Sequence, residues 1–156
     1  MFHRYHYEAE FYLSQSRIPL DVRMKLDLLG LKISLKDWLA CSFEERTVLC
    51  HLPVSCAEEK QVFTGYIDFL CRKYRAKAVE VTAALDPVLW SSSAVPEVVA
   101  QKSASCSDAV TLAEWQSWES YQRYALYKTA ISKSQPEAFA DILDELRAAK
   151  TSFGSS

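Results

Sequence analysis

Residues 18–38 read IPLDVRMKLDLLGLKISLKDW, and residues 95–115 read VPEVVAQKSASCSDAVTLAEW. Set 77 residues apart and carried on to Pro53 and Ala130, the two stretches align without a gap, with seven of 36 positions identical. The identities are Pro19/Pro96, Val22/Val99, Lys25/Lys102, Leu35/Leu112, Trp38/Trp115, Arg46/Arg123 and Leu49/Leu126. A tryptophan falling on a tryptophan carries most of the weight, because the residue is rare. The pattern predicts one all-α domain over 1–156, built from two tandem copies of a helical unit, 18–75 and 95–150. A connector over about 76–94 joins them, and the expected arrangement is pseudo-twofold around one shared core.

Each copy reads as a string of helices. Pro19, then Val22, Leu26 and Leu29 on one face, then Gly30, describe a helix from about Pro19 to Leu29. Ser34-x-x-Asp37 and Thr111-x-x-Glu114 have the capping-box form, in which a hydroxyl takes an orphan N–H and a carboxylate reaches back. Ser42 to Glu45 opens the next helix, which Pro53 ends, and Glu119 to Ile131 is its counterpart. Ser55-x-x-Glu58 opens the longest helix, with Phe63, Tyr66, Ile67, Leu70 and Tyr74 as its apolar stripe. Ser134-x-x-Glu137 opens the closing helix, striped by Phe139, Ile142, Leu143 and Leu146, and residues 151–156 are expected to fray. The run Ser103 to Ser107 replaces a leucine-rich end, which predicts a shorter or looser helix there. Tyr5, Tyr7, Ala9, Phe11 and Leu13 alternate as in a strand, and Val79 with Val81 offers a partner, so a minor two-stranded ribbon between them is expected.

Bulk properties narrow the function. A chain of 156 residues with 49% hydrophobic and 24% charged content is globular in composition. No apolar run approaches the roughly 18 residues a membrane span needs, and the start Met1 to His6 has no signal-peptide core, so a cytoplasmic protein is expected. A formal charge of −2 supplies no field that would gather nucleic acid. A helix-turn-helix reading of Ile33 to Pro53 fares no better, since Glu44 and Glu45 at the start of its second helix would repel phosphate. Five cysteines without a C-x-x-C pair read as reduced, mostly buried thiols. Three glycines exclude a Gly-rich phosphate loop.

Catalytic and metal chemistry find no foothold. His3-x-x-His6, His51, Cys50 and Cys56 lack the paired spacing of a zinc site, and only His51 lies outside the N-terminal arm to serve a triad. No cofactor, metal or enzymatic activity is expected. Trp38 and Trp115 read as core wedges or as ligand platforms, and Trp118 as an exposed interface anchor. Arg46 and Arg123 either tie helices together through carboxylates or offer matched donors to a partner. Arg46, Trp118 and Arg123 are therefore the candidate partner-binding residues.

The string Ile18-Pro19-x-x-Val22-Arg23-x-Lys25-Leu26-Asp27-x-x-Gly30-Leu31-Lys32-Ile33-Ser34-Leu35-Lys36-x-Trp38 resembles the nitrate reductase associated proteins. So do Glu45-Arg46, Leu52-Pro53, Val95-Pro96-Glu97, Leu112-x-x-Trp115, Gln122-Arg123-x-Ala125-Leu126 and the leading Tyr7-Glu8-Ala9-Glu10-Phe11. This small bacterial family is best known from cyanobacteria. The resemblance implies a cytoplasmic accessory or maturation protein that binds the molybdenum-dependent assimilatory nitrate reductase or a molybdenum-cofactor protein, without being a reductase itself. It brings no functional residues with it. A molybdopterin-binding chaperone, holding its cofactor between the copies near Arg46 and Arg123, and an interaction scaffold unrelated to nitrate are the alternatives.

Overall fold

A computed structural model describes residues 2–133 and 135–154, apart from the side chains of residues 150–154. The protein is 66% helical and mostly all-α, with a small two-stranded antiparallel sheet. A 3-10 turn at His6–Glu8 leads into α1 (Ala9–Tyr12), α2 (Leu20–Leu29), β1 (Leu31–Lys32), α3 (Leu35–Ala40), α4 (Phe43–His51), α5 (Ala57–Arg75) and β2 (Glu80–Val81). A second 3-10 turn at Pro87–Trp90 precedes α6 (Glu97–Cys106), α7 (Leu112–Ser117), α8 (Ser120–Ile131) and α9 (Pro136–Gly154). The described residues group into two compact units, one of residues 2–4 and 8–86, the other of residues 5–7 and 87–154.

Local chemistry sets the helix ends. Pro19 and Pro96 stand one place earlier than the sequence suggests, at the cap positions of α2 and α6. Their carbonyls accept from Arg23 N and Ala100 N, both at 3.0 Å. Gly30 closes α2 in the left-handed region at φ 67°, its N–H turned back to Asp27 and Leu26 carbonyls. A Cβ there would stand 2.6 Å from Thr82 O and 3.0 Å from Ala84 N, so glycine is required by conformation and by space. That close approach seats the ribbon: Thr82 N donates to Gly30 O at 2.8 Å, and Leu31 pairs with Val81, Lys32 with Glu80. The capping boxes at Ser34/Asp37 and Ser42/Glu45 form as expected. At α5 the box moves on by one: Cys56 is the cap, and Glu59, rather than Glu58, takes the N–H groups of Ser55 and Cys56. The corresponding expectation at Ser134 lies outside the described residues.

Two further expectations are corrected. Tyr5 to Leu13 form no strand, and the ribbon pairs β1 with β2 instead. Helical spacing satisfies the arm better: Tyr12 Oη donates to Glu8 one turn back at 3.0 Å, and Gln15 N to Phe11 O at 2.7 Å. Helix α6 is as long as α2, ten residues each, because Ser103 does a leucine's work differently. Its buried hydroxyl donates to Val99 O at 2.8 Å and accepts from Val110 N at 2.9 Å, tying the helix to the chain leading into α7. Helix α9 runs on to Gly154.

Each unit packs its own apolar stripes. In the first, Val22 and Leu26 of α2, Trp38 of α3, Leu49 of α4 and Phe63, Ile67 and Leu70 of α5 form one cluster. In the second, Val99, Trp115, Leu126, Phe139, Ile142 and Leu143 are buried. Trp90, inside the stretch read as a connector, is also fully buried, edge-on to Tyr124 at 5.0 Å.

Candidate functional site

Two of the three residues expected to meet a partner come together, in the second unit. Arg123 donates through Nε to Trp90 O at 2.8 Å and through its NH1 group to Trp118 O. Arg46 has the corresponding role in the first unit, donating to Trp38 O at 3.0 Å, Cys41 O at 3.1 Å and Leu39 O at 3.0 Å. Both arginines thus bind backbone carbonyls at the end of a six-residue helix, where a cation complements orphan acceptors, rather than the carboxylates expected. Trp38 and Trp115 are core wedges, with Nε1 donating to Gln15 O at 2.8 Å and Ser91 O at 2.7 Å. Trp118 is not exposed. It is 4% accessible and edge-on to Trp115, because the position after α7 turns inward, as Cys41 does after α3.

The charges buried in the first unit are also engaged with backbone. Lys25 Nζ donates to the carbonyls of Leu49 at 3.1 Å and Cys50 at 2.7 Å, closing α4, and stands 3.6 Å from Asp21. Burial lowers the Lys25 pKa and raises that of Asp21. Glu8 takes the Leu20 N–H at 3.0 Å at the start of α2, and burial lifts its carboxyl to about 7 against the hydrogen bonds from Tyr12 and Leu20. Burial also pushes the Cys41 and Cys50 thiols up to about 11, which leaves them protonated and inert near neutral pH. Among the described residues no three His, Cys, Asp or Glu side chains gather to hold a metal.

The exposed chemistry lies on α3, α4 and α5. A crevice lined by Cys41, Leu49, Ile67, Leu70 and Cys71 holds only about 10 Å³, room for a single water and for no cofactor. Across its mouth Arg75 reaches Asp37 at 2.9 Å. Beside it runs an open groove of about 470 Å³, lined by Ser34, Lys36, Asp37, Ala40, Tyr74, Arg75 and Lys77. One end is braced by Glu45. Burial raises its pKa, but hydrogen bonds from Tyr74 Oη at 2.5 Å, the Ser42 N–H at 2.7 Å and Lys73 at 2.9 Å outweigh that and bring it to about 2. Along α5, Val62, Tyr66 and Phe69 recur at i, i+4 and i+7 as a second stripe, with Tyr66 stacked on Phe69 and both Val62 and Phe69 exposed.

Sequence reasoning missed this groove, although its signal was present in the basic run Arg72-Lys73-Tyr74-Arg75-Ala76-Lys77. What hid it was the partner helix. Lys36 joins the run only once α3 packs against α5. The arrangement suits contact chemistry, in which cations and aromatic faces meet another surface.

Among the described residues no helix is long and apolar enough to cross a membrane. No curated protein and no solved structure matches the chain. Its sequence does match one family over residues 4–146, nearly its whole length. The chain belongs to the family of conserved nitrate reductase-associated proteins.

Proposed function

We propose that this protein is a non-catalytic accessory factor of the molybdenum-dependent assimilatory nitrate reductase, acting in the cytoplasm by binding the reductase or a molybdenum-cofactor protein during its maturation. The family description, which names association with nitrate reductase, supports the reductase as partner. The observation that carries the mode of action is the division of chemistry within the first unit. Glu8, Asp21, Lys25, Cys41 and Cys50 are buried, the three charged ones against backbone or each other, while aromatic and cationic side chains face solvent. Buried, paired charges hold a fold together, whereas exposed aromatics and cations are what interfaces use. A molybdopterin site at Arg46 and Arg123 draws no support from their geometry, since each guanidinium already holds helix-end carbonyls.

We propose also that the two runs of helices descend from one duplicated unit. In support, α2 and α6 begin 77 residues apart, as do α3 and α7, and α4 and α8. The pairs Trp38 N to Ser34 O and Trp115 N to Thr111 O, and Arg46 N to Ser42 O and Arg123 N to Glu119 O, repeat with the same offset.

The accessory role is tested in source cells grown on nitrate. Capture of the tagged protein should bring down nitrate reductase or a molybdenum-cofactor protein, and deleting its gene should lower reductase activity while the purified chain reduces no nitrate. Absence of both proteins from the capture while the reductase is abundant, together with unchanged activity in the deletion strain, would overturn the reading.

A further inference from the structure

We propose that the groove between α3 and the C-terminal end of α5 is the seat of an acidic peptide segment from a partner protein. Lys36 and Lys77 line it, are exposed, and form no ion pair among the described residues. Arg75 engages Asp37 through NH1, and the other donors of its fork have no hydrogen-bond partner among the described residues. Three cations against the single carboxylate of Asp37 leave the groove a local surplus of two positive charges on a chain whose formal charge is −2. That contrast favours a local anionic ligand over a polyanion, which the rest of the surface would repel at long range.

The neighbouring surface says what else the occupant carries. Leu35 and Leu39 project from α3 at 46% and 45% exposure, one turn apart, and Ala40 and the Tyr74 ring line the groove itself. Tyr74 is anchored through its hydroxyl to Glu45 at 2.5 Å, which keeps it at the groove. Carboxylates for Lys36, Arg75 and Lys77, with apolar side chains between them for Leu35, Leu39 and Tyr74, describe a peptide that mixes aspartate or glutamate with leucine. A groove of about 470 Å³ admits several such side chains.

The test uses the full chain and a fluorescein-labelled peptide of alternating glutamate and leucine, followed by fluorescence anisotropy. Binding should be saturable, should weaken as salt screens the charges, and should fall roughly tenfold or more in the Lys36→Glu, Lys77→Glu double variant. Both positions are exposed, and circular dichroism checks that the variant is folded. The Lys60→Glu, Lys133→Glu double variant changes net charge by the same amount outside the groove and should stay within about twofold of wild type. No binding, or equal losses in the two double variants, would overturn the proposal. So would binding to anionic lipid vesicles in place of the peptide, or self-association abolished by Lys36→Glu, Lys77→Glu, which would make the occupant a membrane or a second copy. The inference rests on the accessory reading only for the identity of its partner. Peptide binding without reductase capture would sink that reading and leave the groove standing; capture unaffected by the groove variant would do the reverse.

Discussion

Three pairs of helices in the two units start 77 residues apart, yet the units bury polarity in opposite ways. The first puts an ion pair in its interior, with Lys25 closing α4 and Asp21 beside it. In the second, Val98 stands where Asp21 does and Lys102 is half-buried, and a hydroxyl, Ser103, joins α6 to the chain before α7. Helix α2 ends on a left-handed Gly30, whereas α6 ends on an extended Ser107 at φ −167°. A Trp–Arg corner is present in both units. The comparison teaches that the tryptophan wedge and the helix-end cation recur in both units, while the polar groups of their interiors differ.

The sharpest way to break that comparison is at the two lysines. Lys25→Met should cost about 3–5 kcal/mol, because it removes the ion-pair partner of buried Asp21 and leaves two carbonyls unpaired in the interior, whereas Lys102→Met should stay within about 0.5 kcal/mol. Urea unfolding of both variants measures the difference, and equal costs would mean that the buried pair is incidental. Next comes the helix end. Gly30→Ala should lose about 2–3 kcal/mol through its positive φ and the approach of Thr82, against about 0.5–1 kcal/mol for Ser107→Ala, which loses one bond from Arg147. Arg46→Met and Arg123→Met should cost similar amounts, about 1.5–3 kcal/mol each, since both leave helix-end carbonyls without their cation. A clear inequality there would show that the shared corner is not equally structural in the two units.

The last effect is one of pH and concerns the first unit alone. The Glu8 pKa is raised to about 7 from 4.5, so between those values the folded chain keeps a proton that the unfolded chain has released. Stability from this group is therefore full below about pH 4.5 and declines as pH rises through about 7. Glu45, lowered to about 2, works the other way, but its change is complete below about pH 5. Glu8→Gln keeps an acceptor for the Leu20 N–H and should flatten the decline in the urea midpoint between about pH 5 and about pH 7.5. An unchanged slope would assign the proton to another group.

Much of the architecture was legible because caps and apolar spacing are local. Ser34/Asp37, Ser42/Glu45 and the Phe63–Ile67–Leu70 stripe each announce a helix within one or two turns of chain. Misreadings fell where a distant group decided the outcome. Tyr5 to Leu13 look like a strand until Glu8 finds the start of α2, and the ribbon depends on how Gly30 lets Thr82 approach. Trp118 reads as an anchor until Trp115 covers its edge, and Trp90 hides in a serine-rich stretch with no periodicity to flag it. The groove was illegible for the same reason, since its cations come from α3 and from the end of α5 and meet only in space.

The most direct test of the function is calorimetric titration of the purified chain into purified nitrate reductase at low salt, with the wild type and the Lys36→Glu, Lys77→Glu variant side by side. A saturable complex with the wild type, markedly weaker with the variant, is the expected result. No complex with the reductase in either its cofactor-free or its cofactor-loaded form would contradict the claim that this protein works by binding it.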